Sequence, residues 1–169
     1  MYQVGDLVLY GLTGVCRVDE ISMKTNMPGI DEEQLYYTLK PLYQDYVIYT
    51  PVENTTVFMR YTISKEEAEK LIDKIPSMQV EIYHNKVLSQ LADHYEEALQ
   101  TCDCESLMAL TRSINAKKKI IEDQKRKFGS VDADFMKRAE ELLFGELAVA
   151  LNISKESVPE YIEKRIASM

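Results

Sequence analysis

Few residues of this chain have a type and a spacing that could support chemistry. Cys102 and Cys104 are separated by one residue, and His94 precedes them. One intervening residue is short for a zinc knuckle, and no second cysteine pair follows. General-base catalysis by His84 or His94 is equally unsupported, because the spacing implies no Ser or Cys partner. The sequence also has no glycine-rich phosphate loop, so we expect no catalytic residues, no metal and no cofactor.

Basic residues suggest a different kind of chemistry, the binding of phosphates. Between Arg112 and Lys127 the sequence has seven basic and two acidic residues, in a chain of formal net charge −8. Arg112, Lys119 and Arg126 recur at seven-residue spacing, which predicts one stripe nearly opposite the apolar face of a helix. Such a stripe could follow the phosphates of DNA. The alternative is a solvated helix face whose lysines are favoured near the C-terminus by the helix dipole.

Length and composition limit the classes of protein to be considered. The chain has 169 residues, enough for one domain or two small ones, and 46% of them are hydrophobic. Its acidic balance argues against a nucleic-acid-binding surface over the whole molecule. Three cysteines do not suggest a disulfide framework. No apolar run is long enough to span a bilayer and the N-terminus has no signal-peptide pattern, so we expect a cytoplasmic protein without a membrane partner.

The first part of the chain, residues 1–61, has the pattern of short strands. Gly11 and Gly14 bracket a turn between the first two, and a loop containing Asn26, Pro28 and Gly29 follows. The alternation predicts four or five strands, at residues 7–10, 15–21, 35–39 and 46–50, with residues 56–61 as the candidate that closes the sheet. Strands this short must curl to bury a core, which predicts a small SH3-like or Tudor-like β-barrel.

The composition of residues 1–61 favours a protein partner. Eight of the eleven tyrosines lie there, together with eight acidic and only four basic residues. Tyrosine is enriched at interface hot spots, although it also suits a half-exposed sheet. An exposed edge strand would in addition be available for strand addition. We therefore expect this part of the chain to bind protein rather than nucleic acid.

The second part, residues 64–169, has the periodicity of about five helices. Ser64 with Glu67 is a capping box, and Pro76 ends the first helix. The second is predicted at residues 81–101, and the third begins after Asp103 and ends near residues 128–129. The fourth begins at Asp132 or Asp134, and residues 152–154 break it. A second capping box, Ser157 with Glu160, opens the last helix, where Pro159 is tolerable only in the first turn.

Each of these helices has one apolar face, and such faces must bury against one another. We therefore predict a helical bundle. The fold class is α+β, with two segregated domains at residues 1–61 and 64–169.

Four motifs, taken in order, cover essentially the whole chain and resemble one family. They are VGDLVLY at residues 4–10 with Gly14, PVEN at 51–54, YEEAL at 95–99 with Asp103 and Cys104, and KRAEELLFGELA at 137–148. In these motifs the chain resembles the CarD/CdnL family of bacterial transcription regulators. The N-terminal module of that family is shared with the transcription-repair coupling factor.

The resemblance implies a Tudor-like barrel that binds the β subunit of bacterial RNA polymerase, with an edge strand as the contact. It also implies a helical domain that contacts promoter DNA at the upstream edge of the melted region. Members of the family shift the stability of the open promoter complex and do no covalent chemistry. Such DNA contact is expected to be weak and largely independent of base sequence.

Individual residues can be placed by the same resemblance. Lys24 lies where the family has a basic polymerase contact, and Tyr49 lies at another polymerase contact, often basic, before Pro51. The family has a tryptophan near the start of the second bundle helix, as a wedge against the minor groove, but this chain has no Trp. Tyr83 is the nearest aromatic residue, and Lys86 follows it. A tyrosine could stack or wedge with a smaller area and a polar tip.

Three hypotheses remain at this point. The first is a transcription regulator that binds polymerase through Lys24, Tyr49 and Pro51. Its expected contacts with promoter DNA are Tyr83, Lys86, Arg112, Lys119 and Arg126. The second is an adaptor that binds polymerase without significant DNA contact, which the missing Trp and the acidic composition favour. A thiol or metal enzyme using Cys102 and Cys104 is the weakest, and no small-molecule substrate is expected.

Overall fold

Five β-strands come first in the described chain, and five α-helices follow them. The computed structural model describes residues 1–25, 27–31, 33–54 and 56–169. Asn26 of the expected loop and Glu32 of the acidic set lie outside the described residues. Contacts divide the chain into two units, Met1–Thr62 and Ile63–Met169. The predicted α+β order, with a sheet before the helices, is confirmed.

The strands of the first unit form one antiparallel sheet. They are β1 (Leu7–Tyr10), β2 (Gly14–Met23), β3 (Leu35–Pro41), β4 (Ile48–Pro51) and β5 (Met59–Tyr61). Their order across the sheet is β4-β3-β2-β1-β5. One face buries a small core made of Val8, Cys16, Val18, Tyr37 and Leu39.

The sheet is consistent with a Tudor-like module, but it is not a closed barrel. Among the described residues β4 pairs only with β3, and β5 pairs only with β1. These two edge strands have four and three residues, at the short end of the usual range of strand lengths. The first unit therefore keeps two open edges.

Gly11 is required by the turn between β1 and β2. Its φ of +47° lies in the left-handed region, which costs glycine little. A Cβ added there would lie 2.9 Å from Val57 Cγ1. Both the backbone conformation and the available space therefore select glycine, as the sequence pattern predicts.

The second unit is built from helices joined by short segments. They are α1 (Lys65–Asp73), α2 (Leu88–Gln100), α3 (Cys104–Asp123), α4 (Ser130–Leu151) and α5 (Val158–Ala167). Their apolar faces share one core, whose most buried large side chains include Leu91, Tyr95, Leu99, Ile114, Leu143 and Leu147. The predicted helical bundle is confirmed.

Two of the predicted helix caps are present. Ser64 Oγ accepts a hydrogen bond from the Glu67 amide at 3.1 Å, and Glu67 Oε2 accepts one from the Ser64 amide at 2.8 Å. Asp103 Oδ2 accepts a bond from the Ser106 amide at 3.1 Å. These bonds satisfy amide groups that the first turn of a helix leaves without partners.

The predicted capping box at Ser157 and Glu160 is wrong. The Ser157 backbone is already helical, with φ −84° and ψ −11°, whereas an N-cap serine has extended dihedral angles. The Ser157 hydroxyl instead lies 2.6 Å from the Ser154 hydroxyl. Pro159 does lie in the first turn of α5, as predicted.

Helix α2 begins at Leu88, later than the predicted residue 81. Asn85 Oδ1 accepts a hydrogen bond from the Val87 amide at 2.9 Å, which forms an Asx turn. Such a local side-chain bond competes with helix formation. Val87 is extended, with φ −82° and ψ 106°. Residues 79–85 therefore precede the helix as a segment without regular secondary structure.

Helix α3 ends at Asp123, several residues before the predicted end. Lys125 is left-handed with φ +56°, its amide bonds to the Glu122 carbonyl, and the Arg126 amide bonds to the Ile121 carbonyl. These two bonds are the Schellman motif that ends a helix. Lysine occupies the position that usually belongs to glycine, so no stop signal for the helix is visible in the sequence there.

Candidate functional site

Lys24 and Tyr49 lie together on one face of the sheet. Lys24 follows the end of β2, and its Nζ is 2.7 Å from Glu20 Oε2 and 5.2 Å from the centroid of the Tyr49 ring. Glu20 pairs with Thr38 on β3, and Thr38 pairs with Tyr49 on β4. Glu20, Thr38 and Tyr49 therefore form a row across β2, β3 and β4. The Lys24 ammonium contacts the two ends of this row, Glu20 and Tyr49.

This row is held by charge as well as by sheet pairing. The hydrogen bond from Lys24 lowers the pKa of the Glu20 carboxyl below its usual range. A cation over an aromatic face is attracted by the quadrupole of the ring. Thr38 is buried in the middle of the row, and its hydroxyl oxygen has no hydrogen-bond partner among the described residues. The Lys24 side chain is therefore held between Glu20 and Tyr49.

Strand β4 presents this row at an open edge of the sheet. Because β4 pairs on one side only, backbone groups on its other side are not used by the sheet. Tyr49 is 37% exposed, and Pro51, which has no amide hydrogen to donate, is the last residue of the strand. Both residues line a groove of about 360 Å³ together with Tyr10, Gln34, Thr50, Glu53, Asn54 and Thr56. The structure thus brings Lys24, Tyr49 and Pro51 together.

The residues expected to contact DNA are arranged differently from the prediction. Tyr83 lies in the irregular segment before α2, with its ring stacked on His94 at a centroid distance of 3.7 Å and an interplanar angle of 14°. Its hydroxyl accepts a hydrogen bond from Asn85 Nδ2 at 3.2 Å. Lys86 is exposed just before the helix. Tyr83 is therefore a packed ring, not a free aromatic side chain at a helix start.

The predicted stripe of Arg112, Lys119 and Arg126 does not form, because α3 ends before its third member. Lys119 is exposed on α3, and Arg126 is exposed beyond the helix, with its guanidinium 2.9 Å from Gln124 Oε1. Arg126 lines a groove of about 240 Å³ with His84 and the side chains of Ile82, Lys117, Ile120, Ile121 and Gln124. Arg112 is half-buried and lines a separate groove against α4 and α5.

Lys117 belongs to the interior, although it counted among the basic residues of the sequence pattern. Its Nζ lies 2.9 Å from Asp132 Oδ1, which also accepts a 2.6 Å hydrogen bond from the Tyr95 hydroxyl. Burial, followed by the bond to Asp132, raises the pKa of Tyr95 above its usual value. This cluster ties α2, α3 and α4 together. Lys117 therefore adds little positive charge to the surface.

The sequence contained a signal for the Lys117–Asp132 pair that the prediction missed. Leu110, Ile114, Lys117 and Ile121 share one helix face, so a lysine among apolar residues required a buried partner. Asp132 is one of the two residues predicted to start the fourth helix. It instead lies in the first turn of α4, whose N-cap is Gly129.

The cysteines are packed within the helical unit. Cys102 and Cys104 are buried, and Cys104 Sγ lies 2.9 Å from Glu146 Oε1. Glu146 Oε2 in turn accepts a 2.9 Å hydrogen bond from the Ile63 amide. In the described part of the chain, no three His, Cys, Asp or Glu side chains are grouped to hold a metal ion.

An antiparallel sheet with an exposed, tyrosine-bearing edge is typical of small protein-interaction modules. Residues 2–63 match the family model of the CarD-like/TRCF RID domain, so this module belongs to that family. A module of this family supports a transcription-related protein that interacts with RNA polymerase. The match ends before α1, and no curated protein matches the chain. No helix within the described residues is long and apolar enough to cross a membrane.

Proposed function

We propose that this protein regulates transcription by binding the β subunit of bacterial RNA polymerase through the open edge of β4. In the same proposal the helical unit contacts upstream promoter DNA and changes the stability of the open complex, without covalent chemistry. One observation carries the proposal. Lys24, Tyr49 and Pro51 lie together at the edge of a sheet unit that matches the CarD-like/TRCF RID domain.

The edge of β4 has the physical properties that strand addition requires. Its unpaired backbone groups supply hydrogen bonds to an incoming strand, and neighbouring side chains supply specificity. Tyr49 offers an amphipathic ring of the kind enriched at interface hot spots. Lys24, bound to Glu20 and lying over Tyr49, loses little conformational freedom when a partner docks. Tyrosine at this position therefore works with Lys24 as one binding element.

The helical unit supports a weak contact with DNA. Lys86, Lys119 and Arg126 are exposed and can neutralise phosphates, but Lys117 is buried in an ion pair. Tyr83 would have to leave its stack on His94 to enter a minor groove. Leu88, the first residue of α2, is 58% exposed and is an apolar side chain of the type that wedges between base steps.

The alternative function is a polymerase-binding adaptor without significant DNA contact. Two observations favour it: Tyr83 is packed against His94, and three of the seven basic residues, Arg112, Lys117 and Lys118, are half-buried or buried. An adaptor would need the edge of β4 and would tolerate loss of the exposed basic residues.

Binding to fork-junction promoter DNA, with and without cognate RNA polymerase and over a salt series, tests the proposal. We expect added DNA affinity in the presence of polymerase. It should fall as salt rises, and a Lys119→Ala/Arg126→Ala variant should lower the salt slope by about two, or about one per lost phosphate contact. Glu156→Ala, an exposed change in the same unit, is the control. Polymerase binding with no added DNA affinity would leave the adaptor as the function.

A further inference from the structure

A groove of about 380 Å³ lies between α3, α4 and α5 in the helical unit. Its volume is within the range of pockets that hold small molecules. Most of its wall is apolar, formed by Ile75, Met108, Phe144, Pro159, Ile162 and Ile166. None of the residues implied for polymerase binding lines it, so the groove is separate from the site described above.

Arg112 is the cation of this groove, and it has no partner in the part of the chain that the structure describes. Its Nε is buried, and no described residue forms an ion pair or a hydrogen bond with its guanidinium. A half-buried guanidinium has lost part of its hydration, so an unpaired one is costly to the fold. A carboxylate is the natural complement, because its two oxygens match the fork of guanidinium donors. An unpaired arginine in an apolar groove therefore indicates an anionic ligand with an apolar body.

Two acidic residues of the lining restrict the charge of that ligand. Glu140 is half-buried, and burial raises the pKa of its carboxyl, partly offset by Lys118. Glu163 is exposed at the groove. Carboxylates in the groove lining repel additional negative charge, and this disfavours a doubly charged phosphate monoester. A single carboxylate meets the guanidinium with the least repulsion.

We propose that this groove binds a small amphiphilic carboxylate, with the carboxylate on Arg112 and the apolar body against Met108, Phe144 and Ile162. The site goes beyond the proposed function and does not depend on it. The structure separates Arg112 from Lys119 and Arg126, so Arg112 does not belong to a phosphate-binding stripe. The proposed site gives Arg112 a different role, the binding of a carboxylate.

Titration of the full chain with decanoate, below its micelle concentration, tests this site by calorimetry. Decanol, which lacks the charge, and decyl phosphate, which has more of it, are the matched probes. We expect decanoate to bind most tightly. Arg112→Met, which keeps an apolar stem, should weaken it by about ten-fold or more, since a hydrogen bond to a charged group is lost. Lys119→Met, an exposed change on the same helix, should leave the affinity within about two-fold.

A second measurement keeps the test decisive if Arg112→Met folds poorly. Amide chemical shifts of the unaltered protein, recorded with and without decanoate, should change at residues of α3, α4 and α5 that line the groove. Three results would overturn the proposal: no decanoate binding, shifts confined to other surfaces, or equal weakening by Arg112→Met and Lys119→Met. Tighter binding of decyl phosphate than of decanoate would overturn the proposal that the groove selects a singly charged carboxylate.

Discussion

The Lys24 ammonium lies over the ring of Tyr49, although β3 separates the strand that ends before Lys24 from the strand that contains Tyr49. The sequence resemblance implies the same partner for both residues but does not show that they touch. In the structure, Glu20 fixes the lysine and the lysine covers the tyrosine. A change at either residue should therefore alter the surface presented by the other.

The buried pair of Lys117 and Asp132 should dominate the polar contribution to the stability of the helical unit. The two side chains are 6% and 5% exposed, and Tyr95 also bonds to Asp132. We expect Lys117→Met to lower the free energy of unfolding by about 3–5 kcal/mol, because it leaves a carboxylate buried without its cation. Urea unfolding monitored by circular dichroism would measure this loss.

The control for that prediction is the double variant Lys117→Met/Asp132→Leu. It removes both charges, so its loss should be smaller than that of Lys117→Met alone. An equal or larger loss in the double variant would show that packing, and not an unpaired charge, causes the effect.

The two serines that the sequence suggests as helix caps should behave differently. Ser64→Ala removes the hydroxyl that accepts the Glu67 amide, and we expect a loss of about 1 kcal/mol in the free energy of unfolding. Ser157→Ala removes a hydroxyl that caps no amide, so its effect should stay within about 0.5 kcal/mol. Similar losses in the two variants, measured by thermal unfolding, would contradict the assignment of the caps.

Arg165 and Asp73 should make stability depend on pH in the acid range. Asp73 Oδ1 and Oδ2 accept hydrogen bonds from Arg165 at 2.7 and 3.0 Å, and these bonds lower the pKa of the Asp73 carboxyl. A lowered pKa stabilises the folded state above the unfolded value, about 3.9, and the gain is lost as pH falls through the folded pKa. Asp73→Asn should therefore be less stable than the unaltered protein at pH 7 and equally stable at strongly acid pH.

Glu156→Gln serves as the control for the pH experiment, because Glu156 is exposed and has no ion pair among the described residues. Its stability difference from the unaltered protein should change little between these pH values. A difference for Asp73→Asn that persists in acid would mean that the carboxylate is not the source of the effect.

Local features of this fold were predictable from sequence, and non-local ones were not. The caps at Ser64 and Asp103 depend on residues three positions away, so their spacing is visible in the sequence. The end of α3 depends on Lys125 adopting a left-handed conformation, for which lysine carries no signal. The start of α2 depends on an Asx turn at Asn85, which competes with a helical pattern that is otherwise continuous.

The same distinction explains the outcome at the candidate sites. Seven-residue spacing correctly describes positions on a helix, but Arg126 lies beyond the end of the helix and Arg112 faces α4 and α5. Lys117 appeared as surface charge because its partner, Asp132, comes from another helix. Lys24 and Tyr49 were identified only by resemblance, and their contact results from the order of the strands.

The most direct test of the central claim is the affinity of the full chain for the purified β subunit of cognate RNA polymerase. Tyr49→Ala and Lys24→Glu should each weaken binding by about ten-fold or more, because they alter one binding element at the edge of β4. Phe58→Ala is the matched control, since Phe58 is an exposed aromatic residue that precedes β5 at the other edge of the sheet. Its affinity should stay within about two-fold of the unaltered protein. Absence of binding by the unaltered protein, or an equal loss with Phe58→Ala, would contradict the account.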